Sequence, residues 1–413
     1  MEIPQAVLIS AVIIAFYASF MGGANDFANA FGTSVGSKAI TIRQAILIGM
    51  IAELIGAVLV GCHVTDTVRK GIVEPTFFEH RQFNLVLGLL ASLFGSGLLL
   101  QFANRLGLPV STTHSIVGAI VGFGLVSGGF HIIKWSNILN IVISWIVSPI
   151  SGALIAYLTF RVIQRKILEN RAPIIASVYV IPFFVGLTTS IIILSLIYKG
   201  LKNLHLDLPL SSALASALVC GLIAGAVVWI SGRSDKGGRP YRVQLVLVEG
   251  RFKFLQVFTA GYVAFAHGAN DVANGIGPLA GIWTIYRHGI VGLKSEVPIW
   301  ILALGGVGIV LGLAVFGHRV IETVGTKITS ITPSRGFSAE FGAATAVLVF
   351  SKLGMPVSTT HTLVGAVIGV GLARGIGSID LRVVGKILSS WVITIPAAAI
   401  LSALIYSVLT LLF

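Results

Sequence analysis

The stretch Gly23-Ala24-Asn25-Asp26-Phe27-Ala28-Asn29 recurs 245 positions on as Gly268-Ala269-Asn270-Asp271-Val272-Ala273-Asn274. A second stretch, Leu108-Pro109-Val110-Ser111-Thr112-Thr113-His114-Ser115-Ile116-Val117-Gly118-Ala119, recurs 247 positions on as Met355-Pro356-Val357-Ser358-Thr359-Thr360-His361-Thr362-Leu363-Val364-Gly365-Ala366. Two long motifs in the same order at nearly equal offsets divide the chain into homologous halves, 1–160 and 254–413, joined by 161–253.

Around these motifs the chain is too apolar for water. Of its 413 residues 55% are hydrophobic and only 10% charged, against roughly 25% charged in ordinary globular proteins. With a mean hydropathy of +0.96 this composition excludes a soluble fold and predicts an all-α polytopic membrane protein. Uncharged runs of span length occur at 3–25, 82–104, 135–160, 172–198, 208–232, 297–317 and 387–413. Less regular runs at 43–62, 106–130, 254–282, 337–351 and 353–373 read as spans, half-spans or re-entrant hairpins. The first run has no basic region before it, which reads as a membrane helix and not a cleaved signal. Cys62 and Cys220 sit in or beside apolar segments and suggest neither a disulfide framework nor a cysteine metal site.

The net charge of +13 lies in short segments between apolar runs, which is the positive-inside pattern and not a nucleic-acid face. One cluster holds Arg161, Arg165, Lys166 and Arg171; another holds Arg233, Lys236, Arg239, Arg242, Arg251 and Lys253. Both are expected in the cytoplasm, with the two spans 172–198 and 208–232 returning the chain to the same side past Lys199 and Lys202. The N-terminus, with no basic residue before Lys38, is expected outside together with Arg69, Lys70 and Arg81. The first half then crosses an odd number of times, so the halves are inverted-topology repeats, a plan used by many secondary transporters.

Asp26 and Asp271 stand in apolar surroundings, where a carboxylate must be paired, protonated or bound to a cation. Asn25, Asn29, Asn270 and Asn274 add hard oxygen ligands, and the flanking glycines are expected to let the helix break so that backbone carbonyls reach sodium. Asp26, Asn29, Asp271 and Asn274 are therefore the expected cation ligands. In the second motif, proline followed by Ser111-Thr112-Thr113 or Ser358-Thr359-Thr360 is expected to open a half-helix whose N–H groups and hydroxyls hold an anion; simple capping by Ser or Thr is the plainer alternative. Neither motif carries Lys or Arg. Two carboxylates and a divalent oxyanion total about −4, and four half-helix N-termini at roughly +0.5 each cover half of it. Co-bound monovalent cations or protons are expected to supply the rest. Glu53 and Glu340 are expected near the cavity or ion path, or as paired structural acids. His114 and His361 read as structural histidines, and His267, opposite Gly22 in the other half, carries little weight.

The paired motifs resemble those of the inorganic phosphate transporter (PiT) family over nearly the whole chain. That resemblance implies secondary transport of inorganic phosphate coupled to sodium or protons, about 12 membrane segments with both termini outside the cell (inner) membrane, re-entrant hairpins and a homodimer. It also implies that Asn25, Asp26, Asn29, Asn270, Asp271 and Asn274 serve ions and substrate, and that Ser111, Thr112, Thr113, Ser358, Thr359 and Thr360 cradle phosphate. Glu53 and Glu340 match acids that animal members carry, whereas a further acid of those members, near Leu89 here, is missing. The short linker 161–253 suits a prokaryotic form. Sodium is favoured over the proton as the co-transported ion, and no other cofactor is expected. A sulfate permease is the nearest rival, because the same broad family includes sulfate permeases; hydrogen phosphate offers a P–OH donor to Asp26 and Asp271 that sulfate lacks, which favours phosphate. An intramembrane hydrolase using Ser111 or Ser358 would have no reason to duplicate every part, and a channel fits duplicated acidic sites less well than an occluding carrier.

Overall fold

In lipid each span must satisfy its own backbone hydrogen bonds, so the apolar runs fold as helices. The computed structural model describes residues 3–61, 72–197, 208–233, 238–291, 297–352 and 357–413. Cys62, Arg69, Lys70, Lys199, Lys202, Lys236, Met355 and Pro356 lie outside these residues. The first half contains α1 (Gln5–Gly36), α2 (Ile42–Val60), α3 (Gln82–Leu106), α4 (Thr112–Gly128) and α5 (Trp135–Ile163). Two connecting helices follow, α6 (Pro173–Ser195) and α7 (Leu210–Gly232). The second half contains α8 (Tyr241–His288), α9 (Ile299–Phe316), α10 (Pro333–Lys352), α11 (Thr359–Ala373) and α12 (Leu381–Leu412). Eight of these helices are long and apolar enough to cross a membrane, and α4 and α11 are shorter apolar helices.

The halves are built into each other. Helix α1 packs on α9 as α8 packs on α2, and α4 packs on α12 as α11 packs on α5. Equivalent glycines make the second pair of crossings close: side chains added at Gly118 and Gly122 would strike the backbone of Ile395 and Ala399, and at Gly365 and Gly369 that of Pro149 and Ala153. The homologous helices α1 and α8 run in opposite directions. Ser37 in the turn after α1 donates to Gln256 near the start of α8, while Ser19 lies against Gly275 nearer its end.

Helices α3 and α4 form a re-entrant hairpin. Its open end lies near the chain termini, where Phe83 packs against Phe413. Its tip reaches the middle of α1, where Asn104 donates to the Met21 carbonyl. Gly107 closes α3 in the left-handed region at φ 64°, a conformation that costs glycine little. Helices α10 and α11 are the equivalent pair; α10 begins at the opposite face, where Ser334 donates to Glu249 of α8. The break expected at the Asn-Asp motifs is absent: α1 and α8 run through them as continuous helices. Gly23 and Gly268 instead admit neighbouring backbone, that of Ile309 and of Glu53, so small size and not flexibility is what the motif uses. Among the described residues the interruptions fall at Pro109-Val110-Ser111 and at Val357-Ser358, just ahead of α4 and α11.

Candidate ion and anion site

Helical spacing puts residues three and four apart on one face, which aligns Asp26 with Asn29 on α1 and His267 with Asp271 and Asn274 on α8. Asn29 donates to Asp26 Oδ1 at 2.7 Å and is also 2.7 Å from the Thr360 hydroxyl of the other half. Thr360 in turn donates to Asp26 at 3.3 Å. The second motif mirrors this arrangement. Asn274 donates to Asp271 Oδ1 at 3.1 Å and to Thr112 and Thr113 of the first half at 3.1 and 3.2 Å. Each Asn-Asp pair therefore meets the hydroxyl tip belonging to the opposite repeat. Asn270 and Thr359 complete the second half-site by donating to Asp271, at 3.1 and 3.2 Å.

Three predicted residues have other partners. Ser111 and Ser358 cap α4 and α11 by accepting from the backbone N–H of His114 and His361, so the plainer reading of these serines describes their contacts. Their hydroxyls are thereby turned to the backbone and not to an imidazole. Asn25 clamps the hairpin tip: it accepts from Val110 N–H and donates to the Leu108 carbonyl. The threonines carry the hydroxyls that face the carboxylates.

His267, given little weight from the sequence, stands at the centre. Its Nε2 lies 2.8 Å from Asp271 Oδ2 and 3.4 Å from Asp26 Oδ2, and its Nδ1 lies 3.3 Å from Glu53 Oε1. All four side chains are buried. The i,i+4 spacing of His267 and Asp271 was the available signal. Glu53 thus joins the cluster through His267. Glu340 lies apart in a cage of donors: Thr33 and Ser34 reach it at 2.6 and 2.8 Å, Gln256 at 3.3 Å, and Thr259 through its hydroxyl. His114 and His361 pack edge to face at 4.2 Å between ring centres, each against a tryptophan, Trp145 and Trp391.

The site's oxygens suit a hard monovalent cation. Asp26 Oδ2 and Asn29 Oδ1 are buried without a hydrogen-bond partner, and Asp26, His267 and Asp271 present ligand atoms within 4.8 Å of one another. Two half-helices, α4 and α11, open beside these carboxylates and direct their N-termini at the same region, the arrangement that favours an anion. The adjoining cavity is only ≈ 10 Å³, about the space of one water, so the site is closed around its own side chains.

Interlocked repeats, re-entrant hairpins and duplicated buried acids define a multi-pass carrier of small ions. The model of the phosphate transporter family matches residues 22–402, and the chain belongs to that family. A Pyrococcus furiosus protein named as a candidate phosphate permease is 45% identical over 407 residues, covering 98% of this chain and 97% of that one. Inorganic phosphate transporter 2-1, chloroplastic, of Arabidopsis thaliana is 43% identical and covers 96% of this chain and 71% of its own length. A solved structure described as the sodium-dependent phosphate transporter superposes with a TM-score of 0.89 at 42% identity, covering 99% of this chain and all of that one.

Proposed function

We propose that this chain imports inorganic phosphate together with sodium by alternating access. The observation that carries the proposal is the exchange of partners between halves, Asn29–Asp26–Thr360 matched by Asn274–Asp271–Thr112/Thr113. Each half-site offers one carboxylate, one amide oxygen and threonine hydroxyls, a coordination set for one sodium ion. Two bound cations offset the carboxylates and let the N-termini of α4 and α11 receive phosphate, whose P–OH the carboxylates accept. Glu53 and Glu340 belong to the coupling path, Glu53 through His267 and Glu340 through its own cage of hydroxyls. The repeats 1–160 and 254–413 are taken as inverted about the site, with 161–253 as the cytoplasmic connection, and the assembly is taken as a homodimer in the cell membrane.

The test is uptake of labelled phosphate into liposomes containing the purified protein, with sodium or proton gradients imposed separately and unlabelled sulfate as competitor. Uptake driven by sodium, rising more steeply than first order in sodium and indifferent to sulfate, is expected. Proton-driven uptake would replace the ion, sulfate competition would replace the substrate, and no uptake under either gradient would end the proposal.

A further inference from the structure

The duplication that pairs the motifs also pairs four rings between the hairpin tips. Trp145 on α5 and Trp391 on α12 are 246 positions apart, and His114 and His361 are 247 apart. They form one unbroken column. Trp145 covers His114 at 3.5 Å between ring centres, His114 meets His361 at 4.2 Å, and His361 lies on Trp391 at 3.6 Å. All four are buried. The column crosses between the halves. Helix α5 packs on α11, yet its tryptophan covers the histidine of α4; α12 packs on α4, yet its tryptophan covers the histidine of α11. Trp391 Nε1 also donates to the Pro109 carbonyl at the tip of the first hairpin, at 3.1 Å.

Each histidine lies in the first turn of its half-helix, directly after the threonines of the site. Thr112 and Thr113, ahead of His114, accept from Asn274. Thr359 and Thr360, ahead of His361, donate to Asp271 and Asp26. A helical turn is stiff, so a hydroxyl tip that shifts to take an ion carries its histidine with it. Edge-to-face rings hold a preferred mutual orientation, and a close-packed interior passes a shift on instead of absorbing it. Among the described residues, both ring nitrogens of His114 and Nε2 of His361 have no hydrogen-bond partner. Burying such atoms is unfavourable, and leucine, of similar size, would avoid it. Histidine in both copies thus points to a role beyond filling space.

We infer that His114 and His361 are positioning residues that couple the two half-sites. Sodium taken up by Asp26, Asn29 and Thr360 fixes the second hairpin tip, and the ring column then sets Thr112 and Thr113 of the first tip for Asp271 and Asn274. The second sodium therefore binds more tightly than the first, whichever half-site fills first, because coupling between sites is reciprocal. The inference rests on the sodium half-sites of the proposed function and adds the link between them.

The test is binding of labelled sodium to the purified protein in detergent, with phosphate omitted so that no anion joins the two ions. A coupling of about 20-fold, ordinary for linked sites, gives the unaltered protein a Hill coefficient of about 1.6. His114→Leu and His361→Leu remove the ring contact while filling its space. Each is expected to bring the coefficient to about 1, and the double variant to leave it there, since one contact can be lost only once. Their melting temperatures are expected to hold or rise, because the unpartnered nitrogens are gone. Trp391→Phe keeps a ring on His361 but loses the bond to Pro109, and is expected to lower the coefficient part way, which tests the column without altering either histidine. A coefficient of about 1 in the unaltered protein, or one unchanged in the leucine variants while their melting temperature falls, would overturn the inference and leave sodium binding in place. No sodium binding by the unaltered protein would end the proposed function and the inference with it.

Discussion

His267 is one imidazole among three carboxyls, those of Asp26, Glu53 and Asp271. Its two ring nitrogens face different partners, Nδ1 towards Glu53 and Nε2 towards the two aspartates. Removing one partner of a buried charge cluster costs about 3–5 kcal/mol because the remaining charge has no water to turn to. His267→Gln is therefore expected to lower sodium-driven phosphate uptake by more than about tenfold and to lower the melting temperature of the purified protein. Adding Glu53→Gln to His267→Gln removes one of the stranded carboxylates and is expected to restore part of the stability but not the uptake. A double variant no more stable than the single one would place Glu53 outside the cluster's electrostatics. Duplication made Asp26 and Asp271 conspicuous in the sequence and hid His267. A residue near the meeting point of two equivalent half-sites serves both, so it needs only one copy, and opposite it stands Gly22.

Among the elements, the sequence made the motifs, their order and the half-helix starts at Ser111 and Ser358 legible, because proline and a hydroxyl cap are local signals. It did not reveal that α1 and α8 stay helical through Gly-Ala-Asn-Asp, since the same glycine serves to break a helix or to admit a neighbour. Nor did it reveal that α8 begins at Tyr241, ahead of the apolar run, for a helix continues into water where no span pattern marks it. The distinction between the two uses of glycine has a measurable consequence. Gly122 and Gly365 face the backbone of Ala399 and Pro149, whereas Gly250 in α8 has nothing near the place a Cβ would occupy. Gly122→Ala and Gly365→Ala force packed helices apart and are expected to destabilise by about 1–3 kcal/mol. Gly250→Ala gains helix propensity without a clash and is expected to stabilise by up to about 1 kcal/mol. Thermal or denaturant melting in detergent reads both signs, and a uniform response at all three positions would remove close packing as the reason for the glycines.

For the whole molecule, the contacts fix which ends share a face, and the charges then say which face is inside. Ala6 and Val7 of α1 line one groove with Leu409 and Phe413 of α12, and Gln82 at the start of α3 donates to Gly289 just after α8, so these ends lie together. The other ends of α1 and α8 meet where Ser37 contacts Gln256, and Tyr241 at the start of α8 reaches the Leu168 carbonyl after α5. That second face carries Arg165, Lys166, Arg171, Arg239, Arg242 and Arg335. Among the described residues the terminal face carries fewer cations, and Lys134 there is paired with Glu74 at 3.2 Å. Short loops rich in Lys and Arg stay in the cytoplasm, so the terminal face is expected outside. Alkaline phosphatase needs disulfides that form outside the cytoplasm. Fused after Phe413 it is expected to be active, and a fluorescent protein that matures only in the cytoplasm is expected to be dark at the same position. The opposite pair of results would invert the molecule and leave the closed site at its middle unchanged.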